Sequence, residues 1–558
     1  FDRRQNLVGI AHPGQRMAIF TSSSLFAATA LSIVFLVAFV AALKKFPQLY
    51  AIILNVTKNT VRINGRLICS TRNPDFPWGN ILQRLEDPEG NIKIQTEASK
   101  TQGGFSLSWA FSKPTVLFHD LEHVKTLLSA DMTIRKTTRK IKDNLPVWSL
   151  LFGDGLFMIG PEKWKRQHKI CVRGMGSKHL KSYYPAVVSC VKKAIGSLSE
   201  SLGAAEELKI NICPLFQSYT TEAIMRIGFG ESLSQKDVER LGKIFCEVME
   251  AGTSPMYLFR TYLFSPLPGP SKLRRGISEL HGVCGEIVRG CRNEGKMSTT
   301  EKNHANSANG SLLKALVKAS DANGDQFTEN ECVHNVYSFI GAGIDTTSTS
   351  LTHMATVLAE LPDVQLKARQ EVLKILAGRE FGELSVDEIL NGFPYLSAFA
   401  KEVMRLYPSV SGPPARITTR ETSIGPLTVG PDTLMVCPSY IVHRNENWWG
   451  KDAAVFRPER HLESKEGRLP SDGVDVAHTM GGRFVTFGAG VRTCIGKHLA
   501  IMEIKAMLVM LLSQYELRVD PENQPSLSER HWKITFAFMK VKKERCRLVF
   551  RRLTQQKL

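Results

Sequence analysis

Apolar and polar positions recur along most of this chain with the period of an α-helix. Most of 160–290 follows that period. Thr328 and Glu331 form a capping-box pair that opens one long predicted helix, which ends at Leu361 before a proline. More helix is predicted through Leu406. The pattern therefore predicts a fold in which helices dominate.

Strands are predicted in only two parts of the chain. Phe105–Phe111 and Thr115–His119 are two short candidates near the N-terminal end, followed by a helix over Leu121–Leu128. From Pro408 to Val442 the pattern becomes strands and turns, whereas 60–103 is predicted to be irregular. The fold class predicted from these patterns is mainly α with a minor β region.

One segment is apolar without periodicity. Ala18 to Leu43 contains no charged residue, and it is long enough to cross about 30 Å of hydrocarbon as a helix. Lys44 and Lys45 follow it directly, which predicts that the C-terminal flank stays cytoplasmic. The alternative is a cleaved signal peptide, but the segment is long for one and ends in a poor cleavage site. We therefore expect a transmembrane anchor.

The rest of the chain carries no linker that would divide it. We expect residues 1–17 to be an N-terminal extension of uncertain origin, 18–43 to be the anchor, and 60–558 to form a single large domain. The chain begins at Phe1, and Met17 is an alternative start.

The composition limits which partners the protein can bind and which redox compartment it occupies. The formal charge of +19 favours acidic partners or an anionic membrane surface. Nucleic acid is the competing partner, but the chain has no zinc-finger spacing, helix-turn-helix signal or basic low-complexity tail, so we predict that it binds none. The 11 cysteines are odd in number and lack paired spacing, which indicates reduced thiols in a cytosol-facing domain.

Cys494 lies on a glycine-rich turn just before a predicted amphipathic helix. The positive end of that helix favours a thiolate, and the absence of a Cβ at Gly490 and Gly496 lets a flat group approach the backbone. A thiolate against a flat face suits an axial haem ligand, while the plain alternative is a buried cysteine in an ordinary loop. The arrangement, with Phe487 and Arg492, resembles the haem-binding loop of the cytochrome P450 monooxygenases.

A second motif lies midway along the long predicted helix. Gly341 and Gly343 each cost about 1 kcal/mol relative to Ala in a helix interior, which indicates a local opening, a close ligand or a tight packing contact. The segment around Asp345 and Thr346 resembles the oxygen-binding notch of the P450 family. The resemblance implies that Thr346 hydrogen-bonds the bound dioxygen and that Asp345 helps relay protons to it.

Glu402 and Arg405 are three residues apart and share a helix face. Alone, such a pair is a solvated ion pair worth a few tenths of a kcal/mol. With Arg460 downstream, it resembles the family's buried glutamate–arginine pair joined by a second arginine, which implies a structural role behind the haem. The chain has His461 where the family usually has phenylalanine.

The resemblance also implies partners for the haem propionates. It assigns this role to Trp164, Arg416 and Arg492. His168 replaces the arginine that usually follows the tryptophan by four residues, and it is either a propionate donor or an ordinary surface histidine. The neighbouring basic residues, which could compensate, are Lys165 and Arg166.

Several apolar residues would border the distal pocket by their position, although each could equally be simple core. They lie on the long helix, after the Glu402 helix and near the C-terminus: Phe339, Ala342, Val410, Pro413, Phe536 and Phe538.

The motifs follow one another in the family's order. The resemblance implies a P450 fold and a haem b cofactor whose iron Cys494 ligates. It implies insertion of one oxygen atom from dioxygen into a lipophilic substrate of the fatty acid, sterol or terpenoid class. NADPH would supply electrons through a flavoprotein reductase. The anchor would hold the enzyme, by a single pass, in the lipid of the endoplasmic reticulum membrane, with the catalytic domain on the cytosolic side.

Two other functions compete with this one. A haem-thiolate isomerase or dehydratase would act on a hydroperoxide without activating oxygen, but such relatives typically lose the acid–alcohol pair that Asp345 and Thr346 form here. A non-catalytic haem carrier or docking module would not need both this pair and Cys494. The monooxygenase is the function that the sequence favours.

Overall fold

The structure is a computed structural model of the whole chain. It describes residues 37–128, 134–136, 146–297, 311–462, 483–523, 532–534, 539–541 and 546–553, with short gaps at 71, 76–78, 81–82, 84–87, 111, 253, 320–323, 325 and 414.

Helices dominate the described part of the chain, as the sequence predicts. In chain order they are α1 Val37–Lys45, α2 Pro47–Thr57, α3 Pro88–Thr101, α4 Leu121–Leu128, α5 Pro146–Phe152, α6 Pro161–Met175, α7 Ser177–Leu202, α8 Ile212–Phe229, α9 Gln235–Gly252, α10 Arg260–Leu263, α11 Pro268–Met297, α12 Leu312–Lys318, α13 Glu329–Glu360, α14 Pro362–Leu376, α15 Val386–Asn391, α16 Pro394–Leu406, α17 Ser439–Val442, α18 Glu446–Trp449 and α19 Lys497–Gln514.

The strands form small sheets at the edges of the helical body. They are β1 Val61–Ile63, β2 Arg66–Leu67, β3 Phe105–Ala110, β4 Lys113–Phe118, β5 Ile134–Lys136, β6 Glu207–Asn211, β7 Arg416–Thr418, β8 Thr422–Ile424, β9 Leu427–Val429, β10 Leu434–Val436, β11 Tyr515–Val519, β12 Trp532–Ile534, β13 Met539–Val541 and β14 Arg547–Arg552. The sheet orders are β2-β1-β9-β8, β3-β4-β10-β7-β5, β11-β14-β6 and β12-β13.

The long helix α13 is the axis of the core. Its capping box is present: the Glu331 N–H donates to the Thr328 hydroxyl at 3.2 Å, and the Thr328 N–H donates to the Glu331 carboxylate at 2.9 Å. Leu361 ends the helix, because the proline after it disfavours helical geometry there. Since α13 is buried between α8 and the other core helices, any opening along it lies inside the protein.

One local prediction was wrong. Segment 60–103 was expected to be irregular, but it contains α3 and the short strands β1 and β2. The prediction that most of 160–290 is helical is confirmed, but it did not include the strand β6, which pairs with β14 near the C-terminus, as in Leu208 opposite Phe550. Partners so distant in sequence leave no local signal in a five-residue segment.

The helices α1 and α2 overlap or follow the segment that was predicted to be the membrane anchor. Among the described residues, no single helix is long and apolar enough to span a bilayer; α1 and α2 meet that requirement only together, and they are bent by 104° relative to each other. Residues 18–36 of the predicted anchor lie outside the described residues. The anchor therefore stays a prediction.

Candidate active site

The loop before α19 presents Cys494 in a fixed backbone geometry. Gly488 and Gly490 have φ angles of 73° and 65°, in the left-handed region that glycine adopts most easily. A short 3-10 turn over Gly490–Arg492 follows, and the Cys494 N–H donates to the Phe487 carbonyl at 2.8 Å. These contacts close the loop so that the cysteine immediately precedes the helix.

The Cys494 thiol is less acidic than the sequence predicts. The helix terminus was expected to favour a thiolate, but burial raises the pKa of the thiol, while a hydrogen bond from the Gly496 N–H and the charge of Lys497 oppose that rise. Its side chain is nevertheless accessible. A thiol that is accessible and yet surrounded by protein faces an internal space, where a bound metal ion would deprotonate it directly.

Ala342 marks a second accessible point inside the protein. It is exposed although its neighbour Gly341 and most of α13 are buried. One turn further along, the Thr346 hydroxyl donates to the Ala342 carbonyl at 2.6 Å, and Asp345 is half-buried. The acid–alcohol pair therefore lies on α13 beside an opening in an otherwise buried helix.

The two glycines of this segment are accounted for by packing. A Cβ on Gly341 would lie 2.8 Å from the Phe152 ring, and a Cβ on Gly343 would lie 2.9 Å from Ile224 of α8. Each glycine lets another element approach the helix backbone. The sequence left a local opening, a close ligand or a tight packing contact as explanations for these glycines. The geometry supports a tight packing contact.

A cluster of cations and aromatic rings surrounds Arg492. Its guanidinium lies 3.6 Å from the centre of the Trp164 ring, and the His168 ring stacks on the same tryptophan at 4.2 Å and 27°. Burial, with the charge of Arg416 added, lowers the pKa of Arg492 to about 9. Burial and the charge of Arg492 lower the pKa of His168. We call Trp164, His168, Arg416 and Arg492 the arginine–tryptophan cluster.

This cluster contains a buried donor that the described protein does not satisfy. The Arg492 Nη1 atom is buried and has no hydrogen-bond partner among the described residues. An unpaired buried guanidinium nitrogen is costly, so the geometry calls for an anionic acceptor. The carboxylate of a haem propionate supplies such an acceptor. The residues around the cysteine loop therefore fit a haem.

The two neighbours that could replace the missing arginine do not lie in the cluster. Arg166 donates to the Glu331 carboxylate at 2.8 Å, and Lys165 is exposed. His168 itself is half-buried against Trp164. Of these three residues, His168 is the one that packs in the cluster.

The second candidate network centres on Glu402, whose side chain is fully buried. Arg405 contacts both carboxylate oxygens at 2.8 Å, and Arg460 donates to one of them at 2.9 Å. The other oxygen accepts a hydrogen bond from His461 Nε2 at 2.8 Å, and the Arg457 backbone N–H donates to the first oxygen at 2.9 Å. The pair is thus buried and joined by Arg460, as the resemblance implies, and it belongs to a network of five residues.

Electrostatics within this network favour the ionised carboxylate. Burial alone would raise the pKa of Glu402, but hydrogen bonds from Arg405 and His461, together with their charges, hold it well below its usual range. His461 was missed as a member by sequence reasoning, which noted only that it replaces a phenylalanine. Its position directly after Arg460 was the available signal.

The predicted pocket residues are only partly described. Phe339 is buried, Ala342 is exposed, and Val410 and Pro413 are half-buried. Phe536 and Phe538 lie outside the described residues. Sequence reasoning missed a group of aromatic side chains that the structure gathers near Gly341: Trp148, Phe152, Phe157 and Phe245.

Comparison with known proteins agrees with this geometry. The family model described as cytochrome P450 matches residues 73–545. Among curated proteins, the chain is 26% identical to cytochrome P450 CYP72A616 of Paris polyphylla, over 85% of this chain and 86% of that protein. It is 27% identical to secologanin synthase 2 of Catharanthus roseus, over 76% and 77% of the two chains.

Solved structures share the architecture. The structure of a retinoic acid-bound cyanobacterial CYP120A1 superposes with a TM-score of 0.67 at 20% identity, over 86% of this chain and 98% of that one. A cytochrome P450 named CYP102L1 superposes with a TM-score of 0.66 at 21% identity, over 83% and 94%. At these identities the likeness concerns the fold alone.

Proposed function

The chain belongs to the cytochrome P450 family, whose members are haem-containing monooxygenase oxidoreductases, and we propose that it oxidises a lipophilic substrate with a haem whose iron Cys494 would hold. The observation that carries this proposal is the accessible Cys494 thiol, on a loop where Arg492 has a buried guanidinium nitrogen without a partner among the described residues.

The chain's own residues have distinct tasks in this proposal. When bound, haem supplies the activation of dioxygen. Cys494 would hold the iron, and Arg492, Arg416 and Trp164 would hold the propionates, with His168 as a further donor. Phe487 and Gly490 would shape the loop that carries the cysteine.

On α13, near the exposed Ala342, Thr346 and Asp345 would hold and move protons. The Thr346 hydroxyl, now bonded to the Ala342 carbonyl, can turn toward the opening and donate there. Asp345 is half-buried, so it can exchange protons between the opening and solvent. Glu402, Arg405 and Arg460 keep the fold rigid behind the haem.

The substrate proposal rests on the apolar character of the site. Phe339 lies three residues before the exposed Ala342, on the same face of α13. Such a surface favours an apolar molecule of the fatty acid, sterol or terpenoid class. Val410 and Pro413 are proposed to complete the pocket, as are Phe536 and Phe538.

The electron donor and location are proposed from charge and sequence. The net charge of +19 favours an acidic partner, and we propose an NADPH-dependent flavoprotein reductase. We propose that 18–43 anchors the chain in the endoplasmic reticulum membrane. Deleting residues 1–45 should leave a haem-loaded protein that alkaline carbonate extracts, whereas the full chain should resist extraction. Equal extraction of both would contradict the anchor.

The ligand assignment is tested by the spectrum of the reduced protein with carbon monoxide. The unaltered protein should show the long-wavelength band of thiolate ligation. Cys494→Ala should abolish it, while Cys190→Ala, which removes another buried thiol, should not. A band that survives in Cys494→Ala would identify a different ligand.

The proton relay is tested by counting electrons. Thr346→Ala should let NADPH consumption continue while more electrons emerge as peroxide. Thr352→Ala is the matched control, because its hydroxyl makes the same kind of bond, to the Ser348 carbonyl at 2.8 Å, away from the opening. Unchanged coupling in Thr346→Ala would remove this residue from the mechanism and favour the isomerase.

A further inference from the structure

Helix α8 lies directly against α13 in the turn that carries Asp345 and Thr346. A Cβ on Gly343 of α13 would lie 2.9 Å from the Ile224 side chain of α8. Since Gly343 has no side chain, α8 can approach the backbone of α13 closely at this point. A side chain of α8 can therefore reach the main chain of the turn that holds the proposed proton relay.

Thr220 is a polar side chain that does so. It lies on α8, it is fully buried, and its hydroxyl donates to the Ile344 carbonyl of α13 at 3.2 Å. The same hydroxyl lies within hydrogen-bonding distance of two carbonyls of its own helix, Phe216 at 3.0 Å and Gln217 at 3.3 Å. Its single proton is therefore shared between α8 and α13.

The Ile344 carbonyl accepts from a second hydroxyl as well. Ser348, one turn further along α13, is buried and donates to this carbonyl at 2.8 Å. A carbonyl oxygen has two lone pairs, so these two hydroxyls compete with the backbone N–H that a regular helix places there. The carbonyl is therefore oriented by side chains as well as by the helix itself.

This carbonyl belongs to the backbone of the relay. The Ile344 carbonyl and the Asp345 N–H form one planar peptide unit. In the same turn, the Thr346 hydroxyl donates to the Ala342 carbonyl at 2.6 Å, a bond that it must leave in order to donate at the opening. A donor that fixes the peptide unit at Ile344 thus also fixes the backbone from which Asp345 and Thr346 project.

We propose that Thr220 is a positioning residue of the proton relay, whose hydroxyl orients the peptide unit between Ile344 and Asp345 from the neighbouring helix α8. It acts through the backbone of α13 and not on a reacting atom. The inference rests on the proposed function, because it takes Asp345 and Thr346 as the residues that move protons.

Two substitutions separate the hydroxyl of Thr220 from its shape. Thr220→Val keeps the shape and removes the hydroxyl, whereas Thr220→Ser keeps the hydroxyl and removes a methyl group. Hydrogen exchange of the haem-loaded full chain, followed by mass spectrometry of peptides that cover 341–348, measures how often this segment opens. Exchange should be about threefold faster in Thr220→Val, the factor expected for one weak hydrogen bond, and unchanged in Thr220→Ser.

The effect on proton delivery is measured by counting electrons without an added substrate. With an NADPH-dependent flavoprotein reductase as donor, dioxygen takes up two electrons and two protons to give peroxide, or four of each to give two molecules of water. Slower proton delivery favours peroxide. Thr220→Val should therefore raise the ratio of peroxide to water about threefold, as the loss of one weak hydrogen bond predicts, and Thr220→Ser should leave it unchanged.

Tyr219→Phe is the matched control. Tyr219 is the neighbouring residue on α8, it is also buried, and its hydroxyl donates to a helix carbonyl at 3.0 Å, but that carbonyl belongs to Glu503 of α19. Exchange over 341–348 and the peroxide ratio should both be unchanged in this variant. The same changes in Tyr219→Phe as in Thr220→Val would overturn the proposal, because they would then reflect a general loosening of α8.

Ser348→Ala acts on the same carbonyl from α13 and should shift both measurements in the same direction as Thr220→Val. Faster exchange in Thr220→Val without a higher peroxide ratio would overturn the inference, since Thr220 would then only stabilise α13. Equal effects of Thr220→Val and Thr220→Ser would also overturn it, because they would not depend on the hydroxyl. Failure of the proposed function is recognised separately, because the unaltered protein would then lack the thiolate band with carbon monoxide.

Discussion

Arginines gather at two places among the described residues, and the two places differ in how the positive charge is compensated. Arg405 and Arg460 surround Glu402, whose oxygens accept hydrogen bonds from both. In the arginine–tryptophan cluster, Arg492 instead faces the like charge of Arg416, and its Nη1 atom is buried without a partner among the described residues.

The difference separates a structural site from a binding site. A buried cation that the protein neutralises itself can fix helices in place at all times. A buried cation that is left with an unsatisfied donor is stable only when an external anion completes it. We therefore interpret Glu402 as part of the scaffold and Arg492 as part of a cofactor site.

The largest expected effect comes from removing the scaffold's anion. Glu402→Gln leaves Arg405 and Arg460 buried with a neutral partner, which should cost about 3–5 kcal/mol of unfolding free energy. Denaturant unfolding followed by circular dichroism measures the loss.

The control is Glu247→Gln, which breaks an exposed pair with Lys272 at 2.9 Å. Such a pair is worth about 0–1 kcal/mol. Similar losses in both variants would contradict the structural role of Glu402.

Removing the cofactor site's cation should act on haem retention. Arg492→Leu should speed haem transfer to an acceptor globin about tenfold to a hundredfold, as expected for a charge-assisted hydrogen bond worth about 1.5–3 kcal/mol. Arg444→Leu is the control, because Arg444 also lies 3.6 Å from an aromatic ring centre, that of Tyr440. Equal rates in Arg492→Leu and the unaltered protein would exclude Arg492 from haem binding.

Lowering the pH should lower the free energy of unfolding, because Glu402 becomes protonated. Its pKa is lower in the folded than in the unfolded protein, where a glutamate has the ordinary value of 4.5. The stability that the ionised group contributes is complete above that value and declines as the pH falls below it, by up to about 1.4 kcal/mol per pH unit. Unfolding measured between pH 3.5 and 6 should show this decline, and Glu402→Gln should lack this part of it. Parallel profiles would argue against the lowered pKa.

The smallest expected effect concerns His168. Burial and Arg492 lower its pKa, so it adds a hydrogen-bond donor to the cluster but little charge at neutral pH. His168→Arg should add a cation for the propionates and slow haem transfer about threefold, whereas His168→Gln should leave the rate nearly unchanged. Faster transfer in His168→Arg would mean that repulsion from Arg492 dominates even with haem bound.

Much of the site could be predicted from the sequence because its motifs are local. The loop around Cys494 is closed by a hydrogen bond between residues seven apart, and Glu402 and Arg405 lie on one helical turn. The order of the motifs, which is that of the family, then implied haem as the cofactor. Helix α4 was predicted to the residue, since its pattern is short and uninterrupted.

The features that were not predicted from the sequence depend on residues far away in the chain. The strand β6 exists because β14 pairs with it from the far end of the chain. His461 joins Glu402 only because the chain returns to that carboxylate. No local pattern encodes the partner of β6. For His461 a nearby signal existed, its position directly after Arg460, but periodicity could not predict either contact.

The sequence by itself therefore determined the family, the cysteine loop and the glutamate–arginine pair, because each depends on residues a few positions apart. Only the tertiary structure decided which arginines lie against a carboxylate, that burial raises the pKa of Cys494, and that Asn335 accepts from the backbone of Leu156. Burial and charge compensation depend on every element packed around a group, and that environment exists only once the chain is folded.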